Sequence, residues 1–240
     1  EVFATTPGMM LQNTTLTWQN TMGRLRPQAG TSSYSDDLAF ARRDSIQLVS
    51  RRSSSTAIPL QSIHDVESGS PGRSGWVMGY GLGGQASGGG NADGITYGLG
   101  GTQFGLESML DDVTTVGVFG GYVGSQVRTN TLVEQNTANS GQVGGYLRRD
   151  FGSDYYLLAG GFSFDDYASR REVAIGPLNS TLSGQFTGWQ SIAYAERGLT
   201  YLTTQSELQP YVALQYIYLR QNGFSETGGV GALDVAGIDA

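Results

Sequence analysis

The sequence predicts an all-β chain: an antiparallel transmembrane β-barrel preceded by a short helix and a long linker. Three observations carry that expectation. Glycine is unevenly spread, with five of the 37 in residues 1–74 and the other 32 in residues 75–240. From Gly75 onward, segments rich in Tyr, Phe, Val, Leu and Gly run to about ten residues or more, the length a tilted strand needs to cross a bilayer. Strands of globular domains usually stop at about five or six. The connections between these segments also alternate between long and short, as they do in membrane barrels.

The elements follow in order. In residues 9–26, Met9, Leu11, Leu16, Trp18, Met22 and Leu25 recur at spacings that suit one helical face. Gly23 weakens the last turn and Pro27 stops it. This helix is rich in Asn, Gln and Thr, which suits a polar surrounding better than a hydrocarbon core. Residues 28–74 are Ser- and Arg-rich and read as linker, with a short helix or strand near residues 38–49.

Seven strand-like segments follow, at 76–86, 94–107, 114–127, 141–150, 155–167, 183–198 and 209–221. "ALDVAGID" begins an eighth. Side chains alternate along them. Trp76, Met78, Tyr80 and Leu82 share one face, opposite Val77, Gly79, Gly81 and Gly83. Tyr156, Leu158, Phe162 and Phe164 oppose Ala159, Gly161, Ser163 and Asp165. Val212, Leu214, Tyr216 and Tyr218 share a face, with Ile217 and Leu219 on the other. Barrels place the apolar set toward lipid and the polar set toward the lumen. Gly79, Gly81 and Gly83 are therefore expected on the lumen wall, where something bulky comes close. Parity breaks near residues 100–101, where a bulge is expected. Arg148, Arg149, Glu196, Arg197 and Arg220 are expected at the lumen or the interface, since an Arg at the lipid midplane costs about 2–4 kcal/mol. "SGGGNA", "RTNTLVEQNTANS", "ASRREVAIGPLNSTL" and "NGFSETGGVG" form the polar connections, and "SMLDDV", "DFGSD" and "TTQSE" the short ones.

Several chemistries are excluded. Gly79, Gly81 and Gly84 match a dinucleotide-binding spacing, but three consecutive glycines downstream prevent a helix from following. The net charge is −7 and every basic residue is Arg, so no Lys-rich patch exists to hold nucleic acid. Cysteine is absent, which removes disulfides and thiolate metal sites. His64, the sole histidine, has no serine–carboxylate arrangement to serve. "GGGNAD" nearly matches one calcium-binding nonapeptide, yet a solenoid needs about three copies. No cofactor, metal or catalytic residue is expected.

Several stretches resemble the β-domain of bacterial autotransporters. "LQPYVALQYIYLRQNGFSE" is similar to that family's seventh strand and following loop, "DFGSDYYLLAGGFSFDDYASRR" to a turn-and-strand unit, and "GWVMGYGLGGQ" to the first barrel strand. "NTMGRLR" resembles the end of the helix that threads the pore. The resemblance implies twelve strands, of which about eight are present, so that the chain reads as truncated within its eighth. It divides the chain into a passenger end and pore-threading helix at 1–27, a linker at 28–74 and the β-barrel domain at 75–240. It implies an outer-membrane translocator and anchor for an N-terminal passenger. Lipid of the outer membrane and the barrel assembly machinery are the implied partners, with no nucleic acid. Met22, Gly23, Arg24 and Arg26 of the helix would then face the lumen, with Arg24 and Arg26 pairing with inward carboxylates such as Glu196. The Asn–Asn pair at which some relatives cut their passenger is absent near Leu16 and Thr17. A soluble Gly-rich β protein with a structural or adhesive role is the alternative reading.

Overall fold

The structure is a computed structural model that describes residues 14–15, 17–26, 60–67, 72–88, 94–129, 134–175, 178–202 and 207–239. For 60–67 it describes the backbone. Met9, Leu11, Leu16 and most of the 28–74 stretch, residues 38–49 included, lie outside the described residues. Residues 17–25 form one helix, α1.

The rest is antiparallel strand. In chain order these are β1 (Leu60–Glu67), β2 (Arg73–Ala86), β3 (Ile95–Asp111), β4 (Thr114–Thr129), β5 (Glu134–Phe151), β6 (Asp154–Ile175) and β7 (Leu178–Leu199). Two short strands, β8 (Tyr201–Leu202) and β9 (Glu207–Leu208), precede β10 (Tyr211–Gln221). The short strands β11 (Phe224–Ser225), β12 (Asp234–Val235) and β13 (Ile238–Asp239) complete the set. One sheet runs β1-β2-β3-β4-β5-β6-β7-β10-β13, each strand hydrogen-bonded to its neighbour. Its two edges stay unjoined, so it is an open, partial barrel.

Alternation makes the two faces. On β6, Tyr155, Leu157, Ser163, Asp165 and Tyr167 are buried, while Leu158, Phe162 and Phe164 are exposed. Phe104, Leu106, Val118, Val143, Leu214 and Tyr216 on other strands continue the exposed apolar band. Along β6 this outer band runs from Tyr156 to Phe164, about 26 Å at 3.3 Å per residue, which at a barrel strand's tilt of about 35–45° gives a band about 20 Å tall. Asp166 ends it.

The strands are longer than the sequence reading allowed. β6 and β7 have 22 residues each, about 70 Å of strand. The stretches read as loops around 134–140, 168–175 and 178–182 are strand. Their outer face is polar because it stands beyond the apolar band, and with Ala138 and Leu182 among polar inner side chains no clean alternation marks them as strand.

Three further expectations are corrected. Residues 60–67, within the stretch read as linker, pair with β2 from Leu60 opposite Gly81 to Glu67 opposite Ser74. The register of β3 runs unbroken through Gly100 and Gly101 and shifts between Met109 and Asp111 instead. On β2 the faces are inverted: Trp76, Met78 and Tyr80 are buried. Gly79, Gly81 and Gly83 therefore lie on the outer face with Val77, not on the lumen wall. The reason lies in the lumen, whose contents are apolar at this level.

The inner glycines belong to other strands. The Trp76 ring lies against Gly105, where a Cβ would strike it, and the Tyr146 ring covers Gly117 in the same way. Each large inward ring thus finds room on the neighbouring strand, a recurrent way of seating aromatics on a curved sheet.

Candidate functional site

α1 lies against the inner face and divides its contacts by side. Trp18, Met22 and Leu25 form one buried cluster with Trp76, Met78, Phe119, Tyr146, Leu157, Ile192 and Tyr194. Trp18 meets Phe119 edge-on at 5.1 Å between ring centres. The other stripe is polar. Thr14, Thr17 and Thr21 are buried. The Thr17 hydroxyl is 2.9 Å from the Tyr80 hydroxyl, and Thr21 donates to Gln103 Oε1 at 3.0 Å. Burying the Thr17 and Thr21 hydroxyls is tolerable here because each has a partner.

Two arginines end the helix, and each meets a carboxylate on a different strand. Arg24 grips Glu107 of β3 with both terminal nitrogens, at 3.0 and 3.1 Å. Arg26 grips Glu196 of β7 through Nε at 3.0 Å and Nη2 at 2.9 Å. Both carboxylates take further donors. Glu107 accepts from Ser74 and Tyr146, at 2.8 and 2.7 Å. Glu196 accepts from Tyr155 at 2.7 Å and from Tyr194. The guanidinium groups also rest on rings, Arg24 over Trp76 at 5.0 Å and Arg26 over Tyr211 at 3.9 Å. A buried ion pair is stable only when its remaining lone pairs and protons are satisfied, and both carboxylates here accept tyrosine hydroxyls besides their arginine. Arg148 donates to the Leu25 carbonyl at 3.1 Å, satisfying a carbonyl that the helix end leaves open. One helix touching β3 and β7 from the same side requires the sheet to wrap around it.

The expected lumen residues thus separate into three groups. Met22, Arg24, Arg26 and Glu196 come together. Gly23 lies on α1 with no atom within 4 Å of where its Cβ would stand. Gly79, Gly81 and Gly83 face away. Glu107, Tyr146, Tyr155, Tyr194, Thr17, Thr21 and Gln103 were missed. Glu107 was legible in principle: it shares parity with Gln103 and Gly105 and stands opposite Gly117.

At the far end of the long strands a second arrangement appears. Arg171 binds Glu226 through two bonds of 2.8 and 2.6 Å and also the Gly231 carbonyl at 2.8 Å. The Arg171 guanidinium holds the Glu226 carboxyl below the usual carboxylate range. Phe224 stacks on Phe186 at 4.2 Å, and Phe186 on Tyr167 at 4.6 Å. Residues 224–235 thereby fold back over β6 and β7.

Residues 75–240 match the family model described as "Autotransporter beta-domain". The chain belongs to that family. The translocator domain of autotransporter NalP from Neisseria meningitidis has the same fold, with a TM-score of 0.57 at 17% identity over 72% of this chain and 60% of that one. An extracellular serine protease of Serratia marcescens is 26% identical over 160 residues, 66% of this chain. The chain spans only 15% of that relative's length. This autotransporter β-domain is an outer-membrane translocator that lets an N-terminal passenger cross to the bacterial surface, and the soluble alternative finds no support. A translocator domain is a conduit and an anchor and is not itself catalytic.

Proposed function

We propose that residues 1–27 carry the end of the passenger and the helix that occupies the lumen once transport is over. On this reading Met22, Gly23, Arg24 and Arg26 are the plug's seat and Glu196 is part of its socket. Residues 28–74 lead back to the barrel, with 60–67 as a strand within them. Lipid of the outer membrane surrounds the apolar band, and the barrel assembly machinery inserts the domain. Neither cofactor nor catalytic residue takes part, and no nucleic acid is bound. The observation that carries the reading is the double tie of one helix to β3 and β7, Arg24 to Glu107 and Arg26 to Glu196. A helix about 10–12 Å across with its side chains fills much of a narrow lumen.

Conductance tests this. Deleting residues 9–26 should raise single-channel conductance in planar bilayers and lower the thermal stability of the barrel. Unchanged conductance would show that the helix is not the plug.

A further inference from the structure

Three glutamines stand in one register row across the lumen wall. Gln103 lies opposite Gly121, Gly121 opposite Gln142, Gln142 opposite Ser163 and Ser163 opposite Gln190. All three glutamines and Ser163 are buried. Part of their hydrogen-bonding capacity is used: Thr21 donates to Gln103 Oε1, and Gln190 Nε2 donates to Asp165 at 2.7 Å. Among the described residues, no partner meets Gln103 Nε2, either amide atom of Gln142, or Gln190 Oε1. A buried polar atom without a partner destabilises a fold, so a barrel built only to stand would carry apolar side chains here. The next level toward the short turns does so, with Trp76, Phe119 and Ile192.

We propose that Gln103, Gln142 and Gln190 form a girdle that binds the backbone of an extended polypeptide, the passenger in transit. This rests on the translocator reading, with α1 seated only after transport. A primary amide carries both a donor and an acceptor, and so pairs with a peptide N–H or C=O whatever the side chain beside it. A chain threading a narrow lumen loses water from its peptide groups, and the girdle replaces that water. The three residues sit on β3, β5 and β7, every second strand, so neighbouring members are about 9–10 Å apart. Because barrel strands tilt by about 35–45°, each member also stands about 6 Å farther along the channel than the last, so the girdle winds along the wall. Such a path offers only a few bonds at a time, weak enough to let go as the next peptide groups arrive. Asp165 steadies one member, accepting from Gln190 and from Ser163 at 2.7 Å each.

The test uses the passenger-bearing protein in cells, with surface arrival followed by pulse-chase and external protease. Gln142→Leu removes an amide that has no partner among the described residues, so the barrel should assemble with the same or a higher melting temperature. The half-time of surface arrival should lengthen about fivefold, the weight of one hydrogen bond. Gln142→Asn keeps an amide and should recover most of the rate. Rates are taken only from the heat-modifiable, assembled fraction, and Gln142→Met serves as a second apolar variant. An unchanged half-time in both apolar variants overturns the girdle, and so does equal slowing by Leu and Asn. A passenger that reaches the surface without residues 75–240 would instead overturn the translocator reading itself.

Discussion

The two ends of the lumen bury the same pair of side chains, arginine and glutamate, in opposite ways. Near the short turns, Arg24 and Arg26 come from α1 and the carboxylates from the sheet. At the far end both partners belong to the strand domain: Arg171 lies on β6 and Glu226 follows β11. The near end is therefore completed by a segment that lies outside the β-domain, and the far end completes itself. The surroundings follow the same division. Around Glu107 and Glu196, tyrosine hydroxyls remain to donate to the carboxylates if the helix leaves. Around Glu226, the backbone of its own loop serves, with the Leu233 N–H donating at 3.0 Å.

The largest expected effect breaks the near end. Glu196→Ala leaves Arg26 without its carboxylate, and breaking a buried pair in this way costs about 3–5 kcal/mol. Thermal unfolding in detergent should register that loss. In a protein lacking residues 9–26 the same substitution should cost only about 1–2 kcal/mol, the tyrosine hydrogen bonds alone, because Glu196 has already lost its cation. A full loss in both backgrounds would mean that the near end is as self-contained as the far end.

The far end should respond to pH. Glu226 has its carboxyl lowered by Arg171. Its contribution is therefore complete above the unfolded carboxylate value, about 4.3, and is lost as pH falls through the lower folded value. Unfolding of residues 224–235, followed by hydrogen exchange, should rise below that pH. Glu226→Gln should abolish the pH step and cost about 1.5–3 kcal/mol, the range of a hydrogen bond to a charged group. Deleting α1 should leave both results unchanged.

The smallest effect has the opposite sign. Gly23→Ala places a methyl group where, beyond its own helix, no atom of the described residues stands within 4 Å, and removes a helix-weakening glycine. It should stabilise the near end by about 1 kcal/mol, read as a higher melting temperature, and leave hydrogen exchange at 224–235 untouched.

The sequence was most readable where a strand separates two different media. β6 alternates cleanly from Tyr156 to Phe164, because its outer side chains form the apolar band while Ala159, Gly161 and Ser163 on its inner side stay small, leaving room for Trp18. β2 misled for the opposite reason. Trp76 and Met78 are apolar because Trp18 and Met22 lie against them, so both media are apolar there and alternation loses its sign. The outer parts of β6 and β7 carry polar side chains outside and a mixture inside, Ser169 and Arg171 beside Leu182, so no alternation marked them and they looked like loops. β1 carries Leu60, Ile63 and Val66 at intervals of three, a pattern foreign to strands; its pairing with β2 runs through the backbone, which side-chain periodicity does not report. The ion pairs were half legible. Arg24, Arg26 and Glu196 stood out as charges near an apolar pattern, whereas Glu107 was only the last residue of the strand read over 94–107, and nothing around it marked a partner for the helix.

The placement of Arg24 and Arg26 has a mechanical consequence. Both lie at the end of α1 nearest the short turns, so a pull on the chain above Thr14 draws the helix lengthwise along the wall. Both clamps, the Thr17 and Thr21 contacts and the packed rings then come under load together, in shear, instead of being peeled one after another. Rupture under tension is governed by the rate of unfolding rather than by the equilibrium stability. A tether loaded in this way withstands a steady drag at its outer end far longer than its modest number of bonds would suggest.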